Sequence, residues 1–129
     1  EWAERLTPEQ YRVLRQAGTE RPWMNQFNDF KAEGRFVCAG CGNPLYDSSA
    51  KYDSGSGWPS FDRPVADEAV TEREDVSHGM RRTEVLCARC HGHLGHVFPD
   101  GPATTGMRYC MNSAAMAFHP ADSKENGDG

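Results

Sequence analysis

Cys38-Ala-Gly-Cys41, answered much later by Cys87-Ala-Arg-Cys90, sets the architecture of this chain. Each pair places two thiols across a two-residue spacer, which lets a tight turn present both sulfurs to one tetrahedral zinc ion. Residues 42–86 separate the pairs, far more than the roughly 15–20-residue spacer of a simple zinc ribbon. The fold must therefore bring the two halves together, and one zinc would staple strands remote in sequence. Four thiolates leave no open coordination position, so the predicted ion is structural rather than catalytic. Gly42 supplies the backbone freedom that a turn after the first pair needs. Two disulfides or four free thiols are the competing reading. A thioredoxin-like redox dithiol would need only one pair.

Outward from the pairs, the texture is that of short strands broken by turn residues. Residues 35–37 lead into the first pair, and Gly42-Asn43-Pro44 turns the chain out of it. Asp53-Ser54-Gly55-Ser56-Gly57 is a second turn-rich stretch. Residues 65–76 are acidic and read as an edge strand or a surface loop. Residues 82–86 place Thr83 and Val85 on one face and enter the second pair as a strand, and residues 107–117 form the last strand candidate. At the N-terminus, Thr7-Pro8-Glu9-Gln10 is a capping box with proline at the first helical position. Leu6 and Tyr11 occupy staple positions, and Gly18 is a natural stop. The predicted fold is mainly β (α+β), mostly antiparallel, with an N-terminal docking helix. A single domain is expected over residues 1–121, followed by a disordered polar tail at 122–129.

A length of 129 residues suits one core of moderate size. Hydrophobic content of 37%, with mean hydropathy of −0.76, leaves no apolar run near the roughly 18 residues of a membrane span. The formal charge of −5, made more negative by about −2 with a four-thiolate zinc, repels phosphate backbones and disfavours nucleic-acid binding. Cysteines at metal spacing, rather than in a disulfide framework, point to a reducing compartment and a cytoplasmic protein. Because the chain opens at Glu1, an organelle address upstream is not excluded. A monomer is expected.

The fifth cysteine, Cys110, has no thiol partner left. On a strand, Arg108, Cys110 and Asn112 share one face. Arg108 favours a thiolate there, and Asn112 offers an amide to a substrate oxygen or an imidazole. A cysteine packed in the core is the bland alternative. His91-Gly92-His93-Leu94-Gly95-His96 puts three histidines, loosened by two glycines, in reach of a common cleft. Imidazole suits proton transfer near neutral pH, although solvated or core histidines are the competing reading. In Gly57-Trp58-Pro59-Ser60-Phe61, proline biases Trp58 to an extended backbone. An indole beside a cleft makes a wall for a small apolar group such as a methyl thioether.

Together these motifs resemble the B-type methionine sulfoxide reductases, which reduce the R epimer of methionine sulfoxide. The resemblance runs through Leu6-Thr7-Pro8-Glu9-Gln10-Tyr11, Gly18-Thr19-Glu20, both cysteine pairs, Asp53-Ser54-Gly55 with Gly57-Trp58-Pro59-Ser60-Phe61, His93-Leu94-Gly95-His96-Val97-Phe98 and Arg108-Tyr109-Cys110-Met111-Asn112-Ser113. It implies two small antiparallel sheets with peripheral helices, and one zinc on Cys38, Cys41, Cys87 and Cys90. Cys110 is the implied nucleophile and carries a sulfenic acid after attack. His96 and His93 are the implied catalytic pair, Asn112 helps place substrate or imidazole, Arg108 tunes the thiolate, and Trp58 floors the methyl pocket. The implied partners are oxidised proteins or peptides, or free methionine sulfoxide, with thioredoxin or another external thiol as reductant. Two positions depart from the family pattern. Ser56 stands where many members carry a resolving cysteine, so no disulfide with Cys110 can form there. Met24-Asn25-Gln26-Phe27 replaces a common Thr-Gly-Glu-Tyr. The rival class is a non-enzymatic zinc-knuckle module that binds a protein partner, with Cys110 structural. A zinc hydrolase ranks third, because it needs an open metal position.

Overall fold

The architecture is described from a computed structural model that covers residues 2–16, 18–23, 25–76 and 79–121, with backbone alone at Trp2 and Ala3. The expected tail at 122–129 and the departure at Met24 lie outside the described residues. A short helix α1 (Trp2–Arg5) precedes α2 (Pro8–Gln16), and sequence reasoning anticipated only the second. The capping box forms in both directions: Thr7 N–H donates to Gln10 Oε1 at 2.8 Å, and Gln10 N–H to Thr7 Oγ1 at 3.2 Å. Such a cap contributes about 1 kcal/mol. At the other end Gly18 N–H closes onto the Arg12 carbonyl at 2.8 Å. Val13 and Leu14 face inward, and Leu6 and Tyr11 join the same core cluster.

Two antiparallel sheets carry the rest, as the fold class requires. In the smaller, β1 (Gly34–Cys38) lies between β2 (Pro44–Asp47) and β9 (Met116–Pro120). The larger runs in the order β3 (Lys51–Tyr52), β4 (Ser60–Phe61), β8 (Arg108–Met111), β7 (His93–Phe98), β6 (Arg82–Cys87), β5 (Val70–Asp75). Aromatic rings join the two layers. Tyr46 of β2 stacks on Phe61 of β4 at 4.4 Å, and Phe36 of β1 meets Phe61 edge-on at 5.2 Å. All three rings are fully buried, each burial contributing about 1.5–3 kcal/mol. No helix among the described residues is long and apolar enough to cross a membrane.

Within the acidic stretch 65–76, Val70–Asp75 is the edge strand of the larger sheet, and its exposed charges suit an edge. The expected last strand at 107–117 is in fact two strands in different sheets. A 3-10 turn at Ser113–Ala115 divides it. The buried Glu20 carboxylate accepts the backbone N–H groups of Ser113 and, at 3.0 Å, Ala114. That anchor ends β8 and redirects β9 onto β1.

Candidate active site

The two cysteine pairs meet where β1 and β6 end. Each forms the same turn: Gly42 N–H bonds the Cys38 carbonyl as His91 N–H bonds that of Cys87, at 2.9 and 2.8 Å. Cys38 N–H reaches Asn43 O, and Cys87 N–H reaches Gly92 O. Both turns need a left-handed residue at the equivalent place, Gly42 (φ 80°) in one and His91 (φ 63°) in the other. All four sulfurs lie within 4.8 Å of one another, with Cys38–Cys90 at 3.7 Å and Cys41–Cys87 at 3.5 Å. A tetrahedron with metal–sulfur bonds of about 2.3 Å has sulfur–sulfur edges of about 3.8 Å, so the donor set fits a tetrahedral ion. Gly40 N–H points at the Cys38 sulfur and the Asn43 amide at the Cys87 sulfur, both of which favour thiolates.

On the opposite part of the larger sheet, a cavity of about 280 Å³ opens over β7 and β8. Cys110, Arg108 and Asn112 line it from one face of β8, as the period of two predicts, while Tyr109 turns to the core. Trp58 forms another wall, its indole N–H fixed by the Glu20 carbonyl at 3.0 Å. Arg108 is clamped by Asp100 through two bonds of 2.8 and 3.1 Å and lies 4.4 Å over the Phe98 ring. The Cys110 thiol is pushed up by burial, against opposing pulls from Ser56, Arg108 and Ser60. Arg108 therefore acts in the expected direction but is outweighed. The hydrogen bonds of the Asn112 amide go to backbone groups rather than to a histidine. Its oxygen accepts Glu20 N–H at 3.0 Å and its nitrogen donates to Leu94 O at 3.0 Å, tying the end of β8 in place.

The histidine stretch is a strand rather than a loosened loop. Residues three apart should lie on opposite faces, yet His93 and His96 meet edge-to-face at 5.5 Å. A bulge explains this. Gly95 pairs with Val85 but His93 pairs with Leu86, leaving Leu94 as the extra residue. His96 lines the cavity directly across from Cys110, its register partner. His93 is buried behind it, bonded through Nδ1 to Glu84 at 2.7 Å, and burial lowers its pKa. His91 is exposed in the metal turn and does not join the other two, because the knuckle claims its backbone. Gly95 lets the strands close: a Cβ there would lie 2.1 Å from the Cys110 carbonyl oxygen.

The SelR domain profile matches residues 6–120, from the helix cap to the end of β9. The chain belongs to the SelR-domain family. It is 58% identical over 122 residues to the peptide methionine sulfoxide reductase MsrB of Thiobacillus denitrificans, covering 95% of this chain and 92% of that protein. The corresponding protein of Bradyrhizobium diazoefficiens is 58% identical over 120 residues, 93% of this chain and 86% of its own. That of Chromohalobacter salexigens is 56% identical over 123 residues, 95% and 92% of the two chains.

In this SelR-domain chain the geometry adds residues that sequence reasoning missed. His96 Nε2 bonds Asp75 Oδ2 at 2.8 Å, and Arg82, another cavity residue, reaches the same oxygen at 3.5 Å. Glu84 receives Arg73 through bonds of 3.1 and 2.9 Å while holding His93. The strand pairing carried the signal, since Asp75 faces Arg82 and Glu84 faces His96 in register. Acidic residues on an edge strand read from sequence as solvated charge.

Proposed function

We propose that this chain reduces the R epimer of methionine sulfoxide to methionine, with Cys110 as the attacking thiolate. One observation carries the reading: the single thiol outside the four-sulfur cluster shares a cavity with an imidazole and an indole. As a carboxylate, Asp75 can only accept, so His96 Nε2 carries the hydrogen of that bond, and in the neutral ring Nδ1 is then the acceptor. Burial keeps the Cys110 thiol protonated, and His96 takes that proton as the thiolate forms. The thiolate attacks the sulfoxide sulfur, and the imidazolium delivers the proton to the sulfoxide oxygen. The substrate S–O bond then breaks as oxygen passes to the Cys110 sulfur. The new sulfur–sulfur bond breaks with its electron pair returning to the substrate, which departs as the thioether and leaves a Cys110 sulfenic acid.

Trp58 walls the substrate methyl while His96 engages the oxygen, and fixing both selects one configuration at sulfur. Arg108 adds positive field, His93 buttresses His96, and Asn112 fixes the backbone beside the nucleophile. Regeneration takes an outside thiol, thioredoxin or a small one. It attacks the sulfenic acid, releases water and leaves a mixed disulfide, which a second thiol opens. The four-cysteine cluster holds one zinc, whose contribution is to the fold. Substrates are oxidised proteins, peptides or the free amino acid.

The test is turnover of racemic methionine sulfoxide with dithiothreitol, resolved by epimer. Only the R epimer should be consumed, and Cys110→Ser should lose turnover while retaining zinc. Substantial turnover by Cys110→Ser would overturn the assignment.

A further inference from the structure

We propose that Ser56 is itself a catalytic residue, the last member of a Ser60–Ser54–Ser56 hydroxyl relay that donates to the Cys110 sulfur and favours its thiolate. The proposal rests on Cys110 as nucleophile and gives a positive role to a position whose family pattern is a resolving cysteine. Pairing of β4 with β8 sets the fully buried Ser60 opposite Cys110. The loop before Trp58 then folds back, with Gly55 in the left-handed region (φ 75°) and its N–H on Asp53. This places the Ser54 hydroxyl 2.7 Å from Ser60 Oγ and 2.8 Å from Ser56 Oγ.

Proton accounting fixes the direction. Each hydroxyl has one hydrogen and two lone pairs. Ser54 spends its hydrogen on Ser56, so the contact with Ser60 requires Ser60 to donate to Ser54. Ser60 shares that hydrogen with the Trp58 carbonyl at 3.1 Å and with the Cys110 sulfur opposite it, so it favours the thiolate directly as well as through Ser54. Ser56 Oγ accepts from Ser54 at 2.8 Å and from Trp58 N–H at 3.4 Å, which occupies both lone pairs. Its one remaining resource is its own hydrogen. The choices are the Trp58 carbonyl at a long 3.4 Å or the Cys110 sulfur at 3.7 Å. A thiolate wins that choice through a charge-assisted bond, and aligned hydroxyls polarise one another.

A neutral thiol gains far less, because its sulfur is only a weak acceptor. The relay thus discriminates between the two states of the sulfur. After turnover it offers the same hydrogen to a sulfenate. The charged or titratable groups facing Cys110 are Arg108 on its own strand, His96 on β7, Tyr52 on β3 and Arg82 across the cavity. Among the single effects that oppose burial of the thiol, the Ser56 hydrogen bond is the largest, and Arg108 adds both its charge and a hydrogen bond.

The experiment is alkylation of the full-length, zinc-loaded chain by iodoacetamide as a function of pH, with Cys110 followed by peptide mass mapping. Ser56→Ala should move the inflection up by about one pH unit and slow alkylation at neutral pH about tenfold, with the limiting alkaline rate unchanged. Ser54→Ala, which does not touch the sulfur, should move it the same way by less, and Ser56→Thr should restore it. If the inflection is unmoved in both alanine variants, the relay is overturned, whatever the turnover of Cys110→Ser. If the inflection moves while Cys110→Ser still turns over, the relay stands as a thiolate device, its catalytic role is overturned, and the nucleophile assignment fails.

Discussion

Replacing Asp75 by Asn should slow sulfoxide reduction without dismantling the fold. The bond to His96 Nε2 is 2.8 Å long, and the two side chains are only 19% and 11% exposed. In the proposed reaction the imidazole becomes positive after taking the thiol proton, so this bond strengthens as charge develops. A hydrogen bond to a charged group contributes about 1.5–3 kcal/mol, and at about 1.4 kcal/mol per decade its loss corresponds to a 10- to 150-fold slower step. General acid–base catalysis as a whole is worth about 10²–10⁴, which sets the ceiling. Asn keeps the shape and an acceptor oxygen but loses the charge, and its amide can equally turn a donor toward Nε2. The assay is single turnover: reduced protein mixed with excess sulfoxide in the absence of reductant, quenched over time, with methionine counted. A rate within threefold of the parent would refute the dyad as a catalytic device.

Three further outcomes follow from the geometry. Stripping zinc, or changing Cys87 to Ser, should leave the chain unfolded by circular dichroism, because structural zinc binding, at about 10–16 kcal/mol, is comparable to the whole stability of a domain; a metal-free protein with unchanged melting temperature would contradict it. His93, whose pKa burial lowers from 6.5, binds a proton more readily unfolded than folded. Below about pH 6.5 stability should therefore fall with pH, and that component should vanish in His93→Gln; parallel melting-temperature profiles for the two proteins would show the histidine to be silent. Gly95→Ala puts a Cβ 2.1 Å from the Cys110 carbonyl oxygen, so backbone must move. Overpacking of about 1–3 kcal/mol should lower the melting temperature by about 4 °C per kcal/mol and displace Cys110, and a variant with parental turnover would show that the strands tolerate the shift.

The capping box, the two knuckles and the alternation around Cys110 were all legible, because each is set by local chemistry at fixed spacing. Thr7 and Gln10 bond each other whatever the rest of the chain does, and Cys-x-x-Cys makes its turn from its own residues. What escaped was set by pairing. His93 and His96 share a face only because a bulge at Leu94 adds a residue, and register with Val85 and Leu86 is invisible in the histidine motif itself. His91 looked like a third imidazole, yet the left-handed position it fills belongs to the metal turn, where the matching residue of the other knuckle is Gly42.

Glu20 shows how far such effects reach. From sequence it is one acidic residue after Gly18-Thr19. In the fold its carboxylate takes two backbone N–H groups at the Ser113 turn, its N–H holds Asn112, and its carbonyl holds the Trp58 indole. Burial raises its pKa while those backbone donors pull it back. One side chain and its own peptide units therefore fix three features of the site: where β8 ends, how Asn112 lies and how the indole wall is turned. The cavity depends on a segment that contributes no reactive group, and its shape is held by N–H and C=O groups that every residue carries. That is why the residues that line the cavity, Cys110, His96 and Trp58, stood out in the sequence, while the means of holding them did not.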